Sequence, residues 1–112
     1  MLPKSKRLNL KKDFKRIASG KKIETKYLKL FIKHADNKSP KIGIAVSSES
    51  FKKATQRNRA KRLVSYAFQS TYYQLPTTIN IVALPKSSIL GVKSADVLLD
   101  LEKALKDAKV LN

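Results

Sequence analysis

Residues 41–72 read KIGIAVSSESFKKATQRNRAKRLVSYAFQSTY and change periodicity across a polar stretch. In residues 41–47, Ile42, Ile44 and Val46 alternate with shorter side chains, which is the two-residue period of a β-strand. From residue 56 to 72 the apolar residues recur at helical spacing, along a stripe of Ala60, Leu63, Val64, Ala67, Phe68 and Thr71. This stretch therefore predicts a strand, a loop and a long amphipathic helix.

The flanking sequence supplies the remaining predicted elements. Upstream, residues 10–18 predict a short basic helix that Gly20 ends, and residues 26–33 alternate strictly, as a strand does. Downstream, residues 79–84 predict a short buried strand and residues 94–110 an amphipathic helix. The order is helix, strands, helix, strand, helix. A length of 112 residues suits one domain, so we expect residues 1–112 to fold as a single unit.

Positive charge is the strongest compositional signal. The chain carries 25 Lys and Arg against 8 Asp and Glu, a net charge of +17. Residues 1–93 hold 22 of the cations and four of the acids, whereas residues 94–112 hold three Lys and four acids. Such a surface attracts phosphate backbones by releasing counterions. The composition therefore indicates a polyanionic partner, and nucleic acid above all.

Other classes of protein are disfavoured. No apolar run approaches the roughly 18 residues of a membrane span, and the basic start lacks the apolar centre of a secretion signal. The absence of cysteine excludes disulfides and thiolate sites and agrees with a reducing compartment, so we expect a cytoplasmic protein. Binding to an anionic membrane surface would need a basic helix with exposed apolar residues. No helix offers apolar residues that the core does not need.

The helix predicted over residues 56–72 opens with Arg57, Asn58, Arg59, Lys61 and Arg62. Cations are unfavourable there because a helix N-terminus already bears partial positive charge. The last helix has the favourable arrangement, with its acids early and its lysines late. Helical geometry directs Arg59 and Arg62 away from the apolar stripe, while Arg57 and Lys61 flank it. A phosphate ligand explains this arrangement.

These residues carry a resemblance to a known family. Arg57 to Leu63 (RNRAKRL), followed by Ala67-Phe68, is similar to the signature of the bacterial ribonuclease P protein. Arg7-Leu8, Lys12-Asp13-Phe14 and Gly20-Lys21 resemble the N-terminal region of that family, and residues 41–47 resemble the strand before its signature helix. Residues 79–83 and the final helix complete a match along nearly the whole chain.

The resemblance implies an α+β fold: a two-layer α/β sandwich with a mixed four-stranded sheet and three helices, ribosomal protein S5 domain 2-like. It also implies a left-handed βαβ crossover, against the usual right-handed rule. The family's arginine-rich helix binds the catalytic ribonuclease P RNA. By position in this sequence, that role falls to Arg57, Asn58, Arg59, Lys61 and Arg62. Lys52 and Lys53, a lysine pair shifted along a longer loop, join them.

The resemblance further implies a cleft for the single-stranded 5′ leader of precursor tRNA. Its expected residues are Arg7, Lys11, Lys12, Phe14, Tyr27, Lys29, Phe31 and Lys33. The residues themselves favour such a site, because aromatics and cations interleave on the strand at 26–33. Gly43, Ala45 and Ser47 would leave room on the neighbouring strand. Ala18 stands where relatives often carry another aromatic. Phe14, Tyr27 and Phe31 are also explained by packing alone.

The sequence offers no catalytic set. His34 is the only histidine and is expected at the surface, and the acids are too scattered to pair or to hold metals. We therefore expect no catalytic and no metal-binding residue, with Mg²⁺ held mainly by the RNA. We expect a monomeric free protein that binds neither membrane nor DNA. One alternative is a ribosomal or RNA-assembly protein without enzymatic function. Another, a DNA-binding helix-turn-helix, requires a helix just before residue 56.

Overall fold

The structure is a computed structural model that describes residues 6–110. The elements are α1 (Leu10–Ala18), β1 (Lys21–Glu24), β2 (Leu28–His34), β3 (Lys41–Ile44), α2 (Ala54–Thr71), β4 (Ile79–Pro85) and α3 (Ser94–Asp107). Short 3₁₀ helices follow α2 and β4, at Tyr72–Gln74 and Ser87–Gly91. Every helix and strand predicted from the sequence is present. Within the described residues, no helix is long and apolar enough to span a bilayer.

The four strands form one mixed sheet in the order β1-β2-β4-β3. β2 pairs antiparallel with both β1 and β4, whereas β3 pairs parallel with β4. The α+β fold with a mixed four-stranded sheet and three helices is therefore confirmed. Helix α2 connects the parallel pair, β3 and β4, as the resemblance implied. The left-handedness of this connection stays a prediction.

One face of the sheet carries the main core. Leu28, Leu30 and Ile32 of β2 are buried and belong to a cluster that includes Leu63 of α2 and Leu101 of α3. These three side chains share a face because successive strand residues point to opposite sides. The predicted alternation of β2 is thus confirmed, and α2 and α3 together form the layer that covers this face.

The opposite face is partly covered by α1. Leu10 lies so close to Gly43 of β3 that an added Cβ would stand 2.6 Å from its Cδ2 atom. Ile17 at the other end of α1 is fully buried, and so is Val82 of β4. Both residues lie outside the main cluster. Helix α1 therefore packs on the face that α2 and α3 leave open, and it leaves part of that face uncovered.

Several details differ from the sequence predictions. Helix α2 begins at Ala54 rather than at residue 56, and α3 ends at Asp107 rather than at residue 110. The strand expected over 41–47 ends at Ile44, because the chain then turns to bury Phe51, which is fully inaccessible. The strand expected from residue 26 begins at Leu28, since Thr25 and Leu28 close a turn. Strand β1 was not located from the residues, because it is a four-residue edge in which only Ile23 is partly buried.

Candidate nucleic-acid interface

The first surface is the exposed side of the opening turns of α2. Asn58, Arg59 and Arg62 are exposed, and the helical positions of Arg59 and Arg62 predicted this for those two. A guanidinium nitrogen of Arg59 donates to the carbonyl of Val92, just before α3 (3.3 Å). Within residues 6–110, no cation of α2 forms an ion pair with an acid. The helix therefore presents positive charge that the protein itself does not neutralise.

Arg57 is placed differently from its neighbours. Its guanidinium donates to the backbone carbonyls of Phe51 (2.8 Å) and Lys52 (3.3 Å), and it is half-buried. The hydrogen bond to Phe51 is partly buried, so this side chain stabilises the loop that precedes α2. Phe51 was not predicted as the anchor of this loop. An isolated phenylalanine in a polar stretch was the available signal.

Lys52 and Lys53 lie at the entry to α2 and are exposed. The amide of Lys53, the N-cap residue, donates to Oε1 of Gln56 (3.2 Å). The first turn of α2 contains no acidic residue. The loop thus adds two free lysine heads beside the arginines, as expected from the shifted pair.

Lys61 extends this surface toward the N-terminal segment. It is half-buried and lines a cavity of about 180 Å³ together with Arg7, Leu8, Gly43 and Ser65. Leu8 is fixed there because its amide donates to the carbonyl of Ile42 (2.9 Å). Arg7 and Lys61 therefore line the same cavity, between the N-terminal segment and α2.

The second surface is a groove on the sheet face that α1 leaves uncovered. Lys29, Ala45, Ser47, Leu84 and Lys86 line its volume of about 460 Å³. In register, Lys29 lies between Leu84 of β4 and Glu24 of β1. The groove therefore combines short side chains with two lysines. Lys86 was missed by the sequence analysis, although it directly follows a buried strand.

An ion pair forms one wall of this groove. The Lys86 ammonium lies 2.8 Å from Oε1 of Glu24 and also donates to the carbonyl of Thr25 (2.7 Å). The hydrogen bond and charge of Lys86 lower the pKa of the Glu24 carboxyl below its ordinary value. Glu24 therefore stays ionised to lower pH. It neutralises one of the two lysines and leaves Lys29 as the unpaired cation of the groove.

Phe31 and Lys33 lie along the same face as Lys29. Phe31 is half-buried between Lys22 of β1 and Val82 of β4. The ammonium of Lys33 donates weakly to the hydroxyl of Ser19, after α1 (3.4 Å). The shared face predicted for Lys29, Phe31 and Lys33 is thus confirmed, with Lys33 nearest to α1.

Two residues predicted for the cleft occupy other surroundings. The expected space above Gly43 is filled by Leu8 and Leu10 of the N-terminal region, so only Ala45 and Ser47 open onto the groove. Tyr27 precedes β2 rather than lying on it. Its ring packs against the main core, and its amide donates to Asp100 of α3 (3.2 Å). The prediction that Tyr27 lies on the strand is therefore wrong, because the chain is still in a turn at this residue.

The remaining cleft residues belong to α1 and the segment before it. Arg7 and Lys12 line a further cavity of about 450 Å³, together with Arg16, Lys41 and Asn80. Lys11 is exposed, and Phe14 is half-buried. Asn80 pairs in register with Lys33, four residues along β2 from Lys29. Lys29 of the expected cleft set therefore lies in the groove, whereas Arg7 and Lys12 line the separate cavity beside Asn80.

The described residues do not assemble a catalytic or metal-binding set. His34 is exposed, as predicted, and its Nδ1 atom lies 3.0 Å from the hydroxyl of Thr78. Among residues 6–110, no three His, Asp or Glu side chains gather where they would hold a metal ion. A loop and β3, rather than a helix, precede α2. The helix that a helix-turn-helix requires just before residue 56 is not found there, so that alternative is wrong.

Comparison with protein families gives one match over almost the whole chain. The family model described as Ribonuclease P matches residues 2–109. The ribonuclease P protein component of Pseudanabaena sp. is 33% identical over 114 residues, covering 100% of this chain and 98% of that protein. That of Pseudoalteromonas atlantica is 37% identical over 79 residues, covering 70% of this chain and 65% of that protein. The chain thus spans less than two thirds of the Pseudoalteromonas protein.

Solved structures give the same result for the fold. The RNase P protein from Thermotoga maritima is 28% identical, with a TM-score of 0.80 over 90% of this chain and 96% of that one. The RNase P protein from Staphylococcus aureus superposes with a TM-score of 0.83 over 97% of this chain and 100% of that one. Its identity is 23%, so this second likeness concerns the fold alone.

Proposed function

This chain belongs to the ribonuclease P protein family, and we propose that it serves as the protein subunit of ribonuclease P, which removes the 5′ leader of precursor tRNA. The observation that carries the proposal is the exposed, unneutralised charge of Arg59 and Arg62 within the family's signature helix. The partners are the catalytic ribonuclease P RNA and precursor tRNA.

The RNA subunit would bind along the exposed side of α2. Guanidinium groups suit this role, because their planar donors match phosphate oxygens. Arg59 and Arg62 supply these donors, and Lys52 and Lys53 add charge at the entry of the helix. Arg57 acts indirectly, because its hydrogen bonds to the carbonyls of Phe51 and Lys52 position that lysine pair.

The single-stranded leader would lie in the groove beside Lys29. Single strands bind where cations track the phosphates and aromatic rings stack on the bases. Lys29 supplies the cation, and Phe31 is the nearest aromatic on the same face. Ala45 and Ser47 are short enough to let a sugar or base approach the sheet. The cationic cavity at Arg7 and Lys12 would receive the chain beyond α1.

The protein would contribute affinity rather than cleavage. The described residues provide no cluster of three His, Asp or Glu side chains for a divalent ion, and the one histidine, His34, lies against Thr78. We therefore propose that the Mg²⁺ of the holoenzyme is held mainly by RNA, which performs the hydrolysis. The protein's part is to neutralise phosphate repulsion between the two RNA molecules, a role that matters most when Mg²⁺ is scarce.

Reconstitution tests this function directly. The purified chain is mixed with a catalytic ribonuclease P RNA, and cleavage of precursor tRNA is followed at low Mg²⁺. We expect faster 5′ processing than with RNA alone. A cationic control protein of similar charge separates specific action from general screening. If the chain accelerates cleavage no more than this control does, the proposed function is wrong.

The leader groove is tested with Phe31→Ala in the reconstituted complex, by measuring the binding of precursor tRNA and of mature tRNA. We expect weaker binding of precursor tRNA, by about tenfold for one lost stacking contact, and little change for mature tRNA, which has no leader. Leu99→Ala is a suitable control, since Leu99 is exposed on α3, outside the groove. Equal losses for both RNAs would mean that Phe31 only packs the sheet.

A further inference from the structure

Tyr73 stands out among the exposed side chains. It lies just after α2 and is 85% exposed, against 67% for Leu99 and 46% for Tyr66. It is the most exposed large hydrophobic residue in the described part of the chain. A single exposed aromatic ring is common on protein surfaces, so a ligand can be inferred only from the position of this ring and from its neighbours.

The ring of Tyr73 is held in position by its neighbours. The Lys6 ammonium donates to its hydroxyl (3.1 Å) and lies 4.5 and 4.7 Å from the ring centroids of Tyr72 and Tyr73. The two rings meet edge to face at 5.5 Å. Tyr72 is buried and donates to the carbonyl of Pro40 (2.6 Å). The exposed Tyr73 ring is therefore held by contact with the buried Tyr72 ring, and this lowers the entropy cost of binding a ligand.

The surroundings of Tyr73 are positively charged. The adjoining cavity, of about 360 Å³, is lined by Lys6 and Lys38 and by no acidic residue. A flat open ring beside two cations matches a nucleotide, which offers an aromatic base and a phosphate. A second copy of this chain is a poor occupant, because both copies carry a charge of +17.

We propose that Tyr73, Lys6 and Lys38 form a third RNA-binding site, which takes an unpaired nucleotide. The base stacks on Tyr73, and the two lysines bind its phosphates. The site is separate from the leader groove, because its cavity contains Pro40 and Thr77, which precede β3 and β4, whereas the groove contains Leu84 near the end of β4. It rests on the proposed function only in that the ligand is RNA.

The position beyond the end of α2 suggests which RNA reaches the site. Tyr66 is exposed seven residues after Arg59, so these two share one side of α2, and Tyr73 follows in the 3₁₀ helix that continues from it. Tyr73 lies 11 residues beyond Arg62, or roughly 16 Å along the axis. An RNA bound by the arginines and continuing along α2 would place an unpaired nucleotide at Tyr73.

A local fluorescent reporter tests this site. The chain contains no tryptophan, so Tyr73→Trp introduces a single indole at the proposed stacking position. Leu99→Trp is the matched control, because Leu99 is also exposed but lies on α3. We expect a short oligouridylate to quench the emission of the Tyr73→Trp protein, less so at high salt, and to leave the Leu99→Trp protein unchanged. Equal quenching of both, or no quenching at position 73, overturns the proposal.

Two further variants separate stacking from fold. Tyr73→Ala should weaken oligouridylate binding by about tenfold, whereas Tyr73→Phe should keep nearly full affinity, because it retains the ring. Equal affinities of the two variants would refute stacking. A concentration-dependent change in Tyr73→Trp emission without RNA would refute it in favour of self-association. Intact quenching without accelerated precursor processing would refute the proposed function and leave this site standing.

Discussion

Helices α2 and α3 lie side by side on the same face of the sheet and begin in the same way. In each, the amide of the N-cap residue donates to the side chain three positions later: Lys53 to Gln56 (3.2 Å) and Lys93 to Asp96 (3.1 Å). Their charges differ. α3 has an acid in its first turn and Lys106 in its last, whereas α2 has no acid in its first turn and no base in its last.

The difference shows which charges serve the fold. Those of α3 complement its helix dipole, and Asp100 also accepts hydrogen bonds from Thr25 and from the amide of Tyr27. Arg57, in the first turn of α2, opposes the helix dipole, and none of the cations of α2 has an acidic partner among residues 6–110. α3 is therefore a structural helix, whereas α2 combines a structural inner face with an outer face whose charge is explained by the proposed RNA contact.

The largest expected effect comes from the core of α3. Leu101→Ala should lower the free energy of unfolding by about 2–5 kcal/mol, because Leu101 is fully buried in the main cluster. Leu99→Ala, two positions away and exposed, should change it by less than about 0.5 kcal/mol. Urea unfolding measures both. A similar loss in the two variants would contradict the packing described for α3.

The outer face of α2 should show the reverse pattern. Arg59→Ala combined with Arg62→Ala should weaken binding to ribonuclease P RNA by at least about tenfold, since each lost charged hydrogen bond contributes about 1.5–3 kcal/mol. The slope of the logarithm of the binding constant against the logarithm of salt concentration should become shallower by about two, one for each lost phosphate contact. Filter binding at several salt concentrations measures both quantities. Unchanged RNA affinity, or a lower thermal midpoint, would mean that these arginines serve the fold.

A smaller effect is expected at the contact between the Lys53 amide and the Gln56 side chain, where stability and RNA binding should change in opposite directions. Gln56→Glu should stabilise α2 by about 0.3–1 kcal/mol, because a carboxylate suits a helix N-terminus, and should weaken RNA binding by charge repulsion. Asp96→Asn is the matched change in α3. It should destabilise by a similar amount and leave RNA binding unaltered. If both variants affect RNA binding alike, the division between the helices fails.

The smallest effect concerns pH. The pKa of Glu24 is lowered by the Lys86 ammonium, so the folded state binds its proton less readily than the unfolded chain does. This contribution to stability is present above the unfolded pKa and is lost as pH falls through the lowered folded pKa. Glu24→Gln should therefore lose less stability than the parent on acidification. Unfolding curves of both proteins at neutral and acid pH measure this loss of stability. Equal losses in the two proteins would contradict the prediction.

Periodicity was sufficient to predict the inner and outer sides of α2 and β2. Arg59 and Leu63 were assigned correctly to outside and inside because a helix fixes the direction of each side chain from its own position. Tyr27 and residues 45–47 were assigned wrongly to strands. Alternation shows that a segment favours the extended form, but it does not show where the chain leaves the sheet.

The sequence by itself determined the net charge, the order of the elements and which cations of α2 are exposed, because charge and periodicity are properties of neighbouring residues. Only the tertiary structure decided the shape of the interface: α1 covers Gly43, Phe51 anchors the loop before α2, and Tyr73 rests on Tyr72. Each of these contacts joins surfaces whose fit depends on the packed arrangement of whole elements. No local pattern encodes that fit.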